Sequence, residues 1–419
     1  MPRLTLGRTM PDTPRPPATP ATRRRILFLA EAVTLAHVAR PRVLAESLDP
    51  ARYEVHLAAA ATFDTALQGL RGQRWPLVSI SPGRFIEALA AGRPIYDAAT
   101  LEAYVAADLA LLDRVRPDLV VGDFRLSLAV SAPLRGVPYA ALTNAHWSPY
   151  LRLPRWPVPD LPLVRLVGEP IARALFNQVR PAVFWLHGRA LNRVRRRHGL
   201  PPLGDLRHAY TWGNETLYLD VPELVPTDPL PGNHRFIGPI LWEPPQAAPP
   251  WWDQVPAARP CVYLSLGSSD PARLLPALIE ALATLPISLL VATAGRANLG
   301  RVPAHVFAAD YLPGSAAARR AVLTICNGGS GTVYQSLGEG TPVLGIATNL
   351  DQHLTMALVS AAGAGALMRS EQVSTGGLCR LVAAMLAEPR WGAAAAQVAG
   401  WFKGRSAVAG FREFVEHTL

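Results

Sequence analysis

The sequence predicts an α/β protein built from two similar, Rossmann-like parallel-sheet domains. Short apolar runs with the length of buried strands recur along the chain, and segments with helical spacing of apolar residues lie between them. A chain of 419 residues is also too long for one ordinary core. Because alternating strands and helices form parallel sheets with right-handed crossovers, we expect two doubly wound sheets that face each other across a ligand cleft.

The first alternating series occupies the N-terminal half. Residues 1–22 hold six prolines and are expected to form a disordered tail. The predicted strands are Ile26–Ala30, Tyr53–Ala58, Leu77–Ile80, Leu119–Gly122 and Tyr139–Thr143. The predicted helices are Arg42–Leu48, Thr100–Val115 and Ser127–Leu134. These elements define an N-terminal domain over residues 23–238.

A proline-rich linker and a second series follow. Residues 239–260 interrupt both periodicities and form the predicted linker. The predicted strands of the second domain, residues 261–400, are Cys261–Leu266, Ser288–Thr293, Val306–Ala309, Leu323–Cys326 and Val343–Ile346. Residues 401–419 are expected to form a helix that packs back on the N-terminal domain.

Composition narrows the class of protein. Half of the residues are apolar, which favours a folded protein over a disordered one. No apolar run reaches the roughly 18 residues that span a bilayer, and no signal-peptide pattern opens the sequence. The three cysteines are widely separated, so neither a disulfide framework nor a zinc site is predicted. We therefore expect a cytoplasmic protein.

The net charge of +10 raises the question of a nucleic-acid partner. Only one of the 41 basic residues is a lysine, Lys403, and alanine, proline and arginine are all abundant. Because the base composition of a gene produces such a bias as easily as function does, we predict no nucleic-acid partner.

Positive charge is concentrated in residues 151–200. The segment holds ten arginines against Asp160 and Glu169, with four aromatic residues interleaved. One interpretation is a helical layer whose charged face is solvated while the other face covers an apolar wall. The alternative is a surface for peripheral membrane contact or for an anionic, lipid-like acceptor.

The most informative segment is a glycine-rich turn at residues 327–332. The preceding run Ala321–Asn327 has the pattern of a buried strand, and Val333–Glu339 has that of a helix. Glycines let the backbone approach a ligand, and the free N–H groups and dipole at a helix start favour an anion. Ser330 and Thr332 add hydroxyl donors. The pattern predicts a phosphate-binding turn that needs no metal.

This turn is one of several ordered motifs that resemble a known family. The motifs are Asp310–Pro313, Asn327–Thr332, Gly340–Leu344, Asp351–Gln352 and Gly363–Gly365. They resemble the nucleotide-sugar-binding half of the GT-B glycosyltransferases of the UDP-glycosyltransferase and macrolide-glycosyltransferase type. Arg195–Pro202 and Phe236–Pro239 are similar to landmarks of the macrolide-type subgroup. The resemblance covers residues 24–400 and implies the GT-B fold.

The resemblance implies a role for each donor-side motif. The glycine-rich turn would hold the donor diphosphate, Leu312 would border the nucleobase, and Asp351 with Gln352 would hold sugar hydroxyls. The alternative for this last pair is a simple helix cap. The implied donor-binding residues are Gly267, Ser268, Leu312, Asn327, Gly329, Ser330, Gly331, Thr332, Asp351 and Gln352.

A catalytic base is needed as well. Histidine is the natural choice, because its pKa lies near neutral pH. His37 follows the first strand, at the carboxyl edge of the sheet, and the resemblance implies that it deprotonates the acceptor hydroxyl. Asp123 ends another strand, and the resemblance implies that it orients His37. The alternative for Asp123 is a cap on the next helix.

Two departures from the family pattern affect these roles. Pro41 comes one residue later than in the family's His-Val-x-Pro pattern, behind Arg40. Asn327 replaces a histidine that donates to the diphosphate in the family. We expect weaker stabilisation of the leaving group, or a differently placed donor.

The sequence therefore predicts an inverting, metal-independent glycosyltransferase. A hexose would move from a UDP- or dTDP-sugar, used as co-substrate without a cofactor, to a hydroxyl of a small, largely apolar acceptor such as a natural product or lipid. Two alternatives stay open. One is a non-catalytic GT-B auxiliary that binds a partner transferase or a nucleotide sugar, and the other is a sugar-nucleotide epimerase on the same fold.

Overall fold

The protein is described here by a computed structural model that covers residues 23–243, 246–267, 274–297 and 299–419. The tail predicted over residues 1–22, Ser268 and two residues of the predicted linker lie outside the described residues.

Within these ranges the strands form two parallel sheets. The first has the order β3-β2-β1-β4-β5-β6-β7 and the second has the order β10-β9-β8-β11-β12-β13. The strands of the first sheet are β1 (Arg24–Ala30), β2 (Tyr53–Ala59), β3 (Gln73–Pro76), β4 (Leu119–Asp123), β5 (Tyr139–Thr143), β6 (Glu215–Tyr218) and β7 (His234–Phe236). Those of the second are β8 (Cys261–Ser265), β9 (Ser288–Ala292), β10 (Val306–Ala309), β11 (Leu323–Cys326), β12 (Val343–Ala347) and β13 (Gly365–Arg369).

Helices connect the strands. Those associated with the first sheet are α1 (Leu35–Glu46), α2 (Pro82–Ala90), α3 (Ala98–Val115), α4 (Leu128–Arg135), α5 (Pro162–Val167), α6 (Glu169–Arg197) and α7 (Leu206–Tyr210). The others are α8 (Leu274–Leu282), α9 (Gly314–Arg320), α10 (Ser330–Gly338), α11 (Leu350–Ala361), α12 (Thr375–Ala387), α13 (Arg390–Lys403) and α14 (Ala407–Thr418). None of the helices in the described residues has the length and apolar character needed to cross a membrane.

Each sheet is buried on both faces, as parallel sheets are. The central strands β1, β4, β8 and β11 carry almost continuous apolar runs that solvent does not reach. The last helix, α14, returns to the first sheet, where the rings of Phe411 and Phe28 have centroids 5.8 Å apart. The core of the N-terminal sheet is therefore completed by the far end of the chain.

Two predicted elements are placed differently in the structure. The strand predicted at Leu77–Ile80 is wrong: β3 ends at Pro76, which pairs with the last residue of β2, Ala59. The Leu77 amide still donates to the carbonyl of Ala59, and the side chains of Leu77 and Ile80 are buried in two apolar clusters of the N-terminal half. The strand itself is an edge strand with mostly exposed, polar residues, so periodicity does not reveal it.

The helix predicted at Arg42–Leu48 begins seven residues earlier, at Leu35. Pro41 lies inside it and has no N–H, so the carbonyl of His37 lacks its usual helical hydrogen bond. Because α1 begins at Leu35, His37 lies in the first turn of this helix.

Candidate active site

His37 and Asp123 meet where the strand order of the first sheet reverses. Strands β1 and β4 are neighbours in register, with Ala30 beside Asp123, and the loops that leave such a pair diverge to open a crevice. The Nδ1 atom of His37 lies 2.7 Å from Oδ1 of Asp123, whose side chain is fully buried. Asp123 favours the tautomer with the proton on Nδ1, which leaves the Nε2 lone pair available.

The same contacts bear on the capping alternative for Asp123. Helix α4 has Ser127 as its N-cap, without a side-chain capping hydrogen bond. The Asp123 carboxylate instead accepts hydrogen bonds from Arg40, from Nε at 2.8 Å and from Nη2 at 2.6 Å. Asp123 thus holds the side chains of α1 rather than the start of α4.

Sequence reasoning did not assign Arg40 a role. Its Nη2 atom also lies 2.8 Å from Nδ1 of His37, and its Nη1 donates to Asn144 at 2.9 Å. Asn144 in turn donates to Asp220, which also accepts a hydrogen bond from Tyr334 of α10. A chain of hydrogen bonds therefore leads from the candidate base to the second domain. Spacing was the available signal, since Arg40 lies one helical turn after His37.

The ring of Phe124 packs against the candidate base. Phe124 stacks on His37 with centroids 4.9 Å apart and an angle of 14° between the rings. Its backbone has a φ of 56°, which a side chain with a Cβ rarely adopts. The next residue, Arg125, is fully buried and pairs with Glu31 at 2.7 Å and with Asp108 at 2.9 Å. Burial raises the pKa of both carboxyl groups, against the opposing charge of Arg125.

Residues predicted to bind the donor lie at the equivalent place in the second sheet, between β8 and β11. Cys326 pairs with Ser265, and Gly267 and Asn327 follow these two strand ends. Asn327 is 5% exposed and its Oδ1 accepts a hydrogen bond from the amide of Gly329 at 3.0 Å. This bond shapes the turn locally, as asparagine does in Asx turns.

The start of α10 is an uncapped helix N-terminus. Its N-cap, Gly329, has no side chain to accept a hydrogen bond. In the part of the chain that the structure describes, the amides of Ser330, Gly331 and Thr332 have no acceptor. A side chain added at Gly331 would meet no atom within 4 Å, so the turn faces open space. Such a terminus binds anions through its N–H groups and dipole.

Asp351, in the first turn of α11, is contacted from the other domain. Its Oδ1 lies 2.8 Å from Nε2 of His146 and 2.7 Å from Nε1 of Trp147. Burial raises the pKa of Asp351, but the hydrogen bonds from His146 and Trp147, with the nearby His37, outweigh burial and lower it to about 2. The side chain is still 42% exposed, and its Oδ2 has no partner among the described residues. Asp351 is therefore an ionised carboxylate near His37, and one of its oxygens can accept a hydrogen bond from a ligand.

His146 is a residue that sequence reasoning missed. It follows the carboxyl end of β5, where polar side chains of a parallel sheet point toward the ligand crevice. Its position after a strand was the available signal, but its contact with Asp351 joins residues 205 apart in the sequence.

Two predicted donor residues have contacts of another kind. The side chain of Gln352 is 3% exposed and forms a capping box with Asn349, the N-cap of α11. Leu312 is 7% exposed and packs in an apolar cluster, whereas its neighbour Tyr311 is 54% exposed. The helix-cap alternative thus applies to Gln352 and not to Asp351. A contact of Gln352 with the sugar and a contact of Leu312 with the nucleobase stay predictions.

Comparison with known proteins identifies the family. The family model for the C-terminal domain of erythromycin biosynthesis protein CIII-like proteins matches residues 277–403. The structure of spinosyn rhamnosyltransferase SpnG complexed with thymidine diphosphate has the same fold, with a TM-score of 0.68 and 20% identity over 94% of this chain and 100% of that chain. The PGL/p-HBAD biosynthesis rhamnosyltransferase of Mycobacterium bovis BCG is 49% identical over 98% of this chain and 90% of its own length.

The chain belongs to the family of the PGL/p-HBAD biosynthesis glycosyltransferases. The PGL/p-HBAD biosynthesis glycosyltransferase of Mycobacterium tuberculosis is also 47% identical, over 95% of this chain and 93% of its own. The predicted family, the two-domain GT-B fold and the enzyme class are therefore confirmed. The protein is a glycosyltransferase, rather than the auxiliary or epimerase that the sequence alone left open.

Proposed function

We propose that this glycosyltransferase moves a rhamnose-type hexose from a dTDP-sugar to a hydroxyl of a largely apolar acceptor, with inversion and without a metal. The relative from Mycobacterium bovis is named as a rhamnosyltransferase of PGL/p-HBAD biosynthesis, which supports this sugar and an acceptor of the PGL/p-HBAD class. The thymidine diphosphate complex of a structural neighbour supports a dTDP donor over a UDP donor.

The observation that carries the proposal is the placement of the His37–Asp123 pair opposite Asp351. In the proposed reaction, Nε2 of His37 removes the acceptor's hydroxyl proton and Asp123 stabilises the imidazolium that forms. The acceptor oxygen then attacks the anomeric carbon as the bond to the diphosphate breaks. The base and the diphosphate site belong to opposite domains, which fits an in-line attack with inversion.

The leaving diphosphate would lie on the free amides of Ser330, Gly331 and Thr332. The Nδ2 atom of Asn327 has no acceptor among the described residues and adds a neutral donor beside them. These groups stabilise developing negative charge without a cation. In the described ranges, no group of three His, Cys, Asp or Glu side chains is arranged to hold a metal ion.

The surroundings of His37 fit an apolar acceptor. Phe124, which stacks on His37, is itself surrounded by Phe85, Tyr96 and Tyr210, with ring centroids 5.9, 6.2 and 5.1 Å away. An aromatic or alkyl group next to the reacting hydroxyl would be stabilised by these rings.

Product analysis tests the proposal. The purified enzyme is incubated with dTDP-rhamnose or UDP-glucose and a phenolic acceptor, in the presence of EDTA, and the product's mass and anomeric configuration are measured. We expect transfer of the deoxyhexose with inversion. His37→Gln should lower kcat by about a hundredfold or more, with dTDP binding unchanged, whereas His417→Gln on the exposed face of α14 should have no effect. Retention of configuration, or full activity of His37→Gln, would overturn the mechanism.

A further inference from the structure

The outer face of α5 and α6 holds most of the large apolar side chains that are exposed in the described structure. Eleven such side chains are exposed among the described residues, and seven of them lie in these two helices. They are Leu163, Leu166, Ile171, Leu175, Val179, Trp185 and Leu186, which we call the outer apolar face. Leu166 is 81% exposed and Trp185 is 56% exposed. Contiguous apolar surface of this kind marks a binding site for another surface.

Helical spacing makes the patch continuous. Ile171, Leu175 and Val179 are four residues apart, so they lie above one another on one side of α6. The opposite side of the same helix is buried in the core through Ala172, Phe176 and other residues. A helix that is apolar on both sides is normally covered on both sides, and no such cover lies over the outer side of α6 among the described residues.

Arginines without carboxylate partners lie at one end of this face. Arg189, Arg193 and Arg196 lie at the C-terminal end of α6 and form no ion pair among the described residues. At the other end, the side chain of Arg165 is 71% exposed and forms an ion pair with Glu371 at 3.5 Å. An apolar face with unpaired cations at its end matches the boundary between acyl chains and anionic headgroups.

We propose that the outer apolar face docks the enzyme on an anionic lipid bilayer, with α5 and α6 lying in the plane of the headgroups. Charge favours a bilayer over a second copy of the chain, because two copies would bring the same unpaired arginines together. The helix would lie on the membrane rather than cross it.

A cavity beside this face points to a use for the docking. It has a volume of about 520 Å³ and is lined by Leu186 and Arg193 of α6 and by Tyr96 on the opposite wall. Tyr96 contacts Phe124, which stacks on His37. A lipid-borne acceptor would therefore reach the base from the membrane side, a step that rests on the proposed function.

Vesicle sedimentation tests the docking without donor or acceptor, so its result is independent of the proposed reaction. We expect the enzyme to sediment with vesicles of phosphatidylcholine mixed with phosphatidylglycerol, but not with phosphatidylcholine alone. Replacing Leu175, Val179 and Trp185 together by Gln should abolish sedimentation. Arg193→Gln with Arg196→Gln should weaken it roughly thirtyfold at low salt. Val322→Gln, at a 49% exposed position of the other domain, is the matched control and should bind as the parent does.

Donor hydrolysis and the unfolding midpoint of each variant show whether it is folded. Equal binding by the parent and the folded triple variant would overturn the proposal, as would a parent that binds neither kind of vesicle. A parent that is dimeric in size-exclusion chromatography, and a triple variant that is monomeric, would instead assign the face to contact between copies of this chain.

Discussion

Arg40 touches both members of the candidate catalytic pair. It donates two hydrogen bonds to Asp123, and its guanidinium lies 2.8 Å from Nδ1 of His37. These contacts hold the imidazole and the carboxylate in one fixed arrangement. The arginine therefore acts as a positioning residue for the pair.

Steady-state kinetics of the Arg40→Gln variant test this role. Without the guanidinium, His37 and Asp123 lose the partner that they share, so kcat should fall by roughly a hundredfold through misplacement of the base. The KM for the donor should stay unchanged, because Arg40 lies on the acceptor side. Arg40→Lys should recover part of kcat. An equal loss of kcat in both variants, with a lower unfolding midpoint in each, would indicate a purely structural role.

Arg125 is a fully buried residue next to Phe124, whose ring stacks on His37. Its guanidinium compensates two buried carboxylates, Glu31 and Asp108. Arg125→Met would leave both uncompensated, and we expect a loss of about 3 to 5 kcal/mol in the free energy of unfolding. Arg135→Met, which removes the exposed pair with Asp113, should leave the free energy of unfolding nearly unchanged. Urea denaturation measures both, and similar losses in the two variants would contradict the assignment.

Some of the site could be predicted at the residue level and some could not. His37 and Asp123 follow strands that a parallel sheet brings together, so pattern and family motif sufficed to select them. Arg40 and His146 make their contacts across elements or domains, and a residue's own neighbourhood in the sequence says nothing about such distant partners. Gln352 shows the converse, because its family motif is intact while its side chain completes a capping box.

The turn before α10 depends on its glycines as an element. Gly328 has a φ of +81°, and a Cβ there would lie 2.8 Å from Cγ of the buried Met356. Gly328→Ala should therefore displace the amides of α10 and weaken dTDP binding by roughly tenfold, the effect of 1 to 2 kcal/mol of backbone strain. Isothermal titration calorimetry with dTDP measures this change.

Gly400→Ala provides the matched control for the turn. Gly400 lies within α13, and a Cβ there would meet no atom within 4 Å. Binding of dTDP should be unchanged, and the helix should gain up to about 1 kcal/mol. If both substitutions left dTDP binding intact, the turn would not be the diphosphate site.

Elements with strong apolar patterns were predictable, and most edge strands were not. Strands β5, β10 and β11 have the bounds that the sequence predicted. Strands β6, β7 and β13 had no predicted counterpart, and β3 was placed too late. Three of these four, β3, β7 and β13, have a neighbour on only one side, and the fourth, β6, has four residues, so sheet pairing rather than local pattern determines them.

At the scale of the molecule, Asp351 and Asp160 are two of the carboxylates that join the domains. Asp351 binds His146 and Trp147, and Asp160 of the N-terminal half lies 3.0 Å from His353 and 2.7 Å from Arg369. Burial raises the pKa of Asp160, but hydrogen bonds from His353 and Ser370 outweigh it and lower the pKa overall. Both contacts therefore stabilise the protein only while the carboxylates are ionised.

This arrangement predicts acid sensitivity. The folded-state pKa of Asp351 is about 2 and lies below its ordinary value of 3.8. Its stabilisation should be complete above the ordinary value and be lost as pH falls through the folded value. After discounting for a side chain that is 42% exposed, we expect about 1 kcal/mol. Unfolding of the parent and Asp351→Asn between about pH 5 and 2 measures it, and parallel curves would contradict the expectation.

The return of α14 to the first sheet has a consequence for biosynthesis. Phe411 and Phe414 belong to the same buried cluster as Phe28 of β1, so the domain that a ribosome makes first lacks part of its interior until these rings have been translated. The donor domain, made in between, carries its own sheet and can mature earlier. A premature stop codon ahead of Phe411 would therefore destabilise the N-terminal domain more than the C-terminal domain.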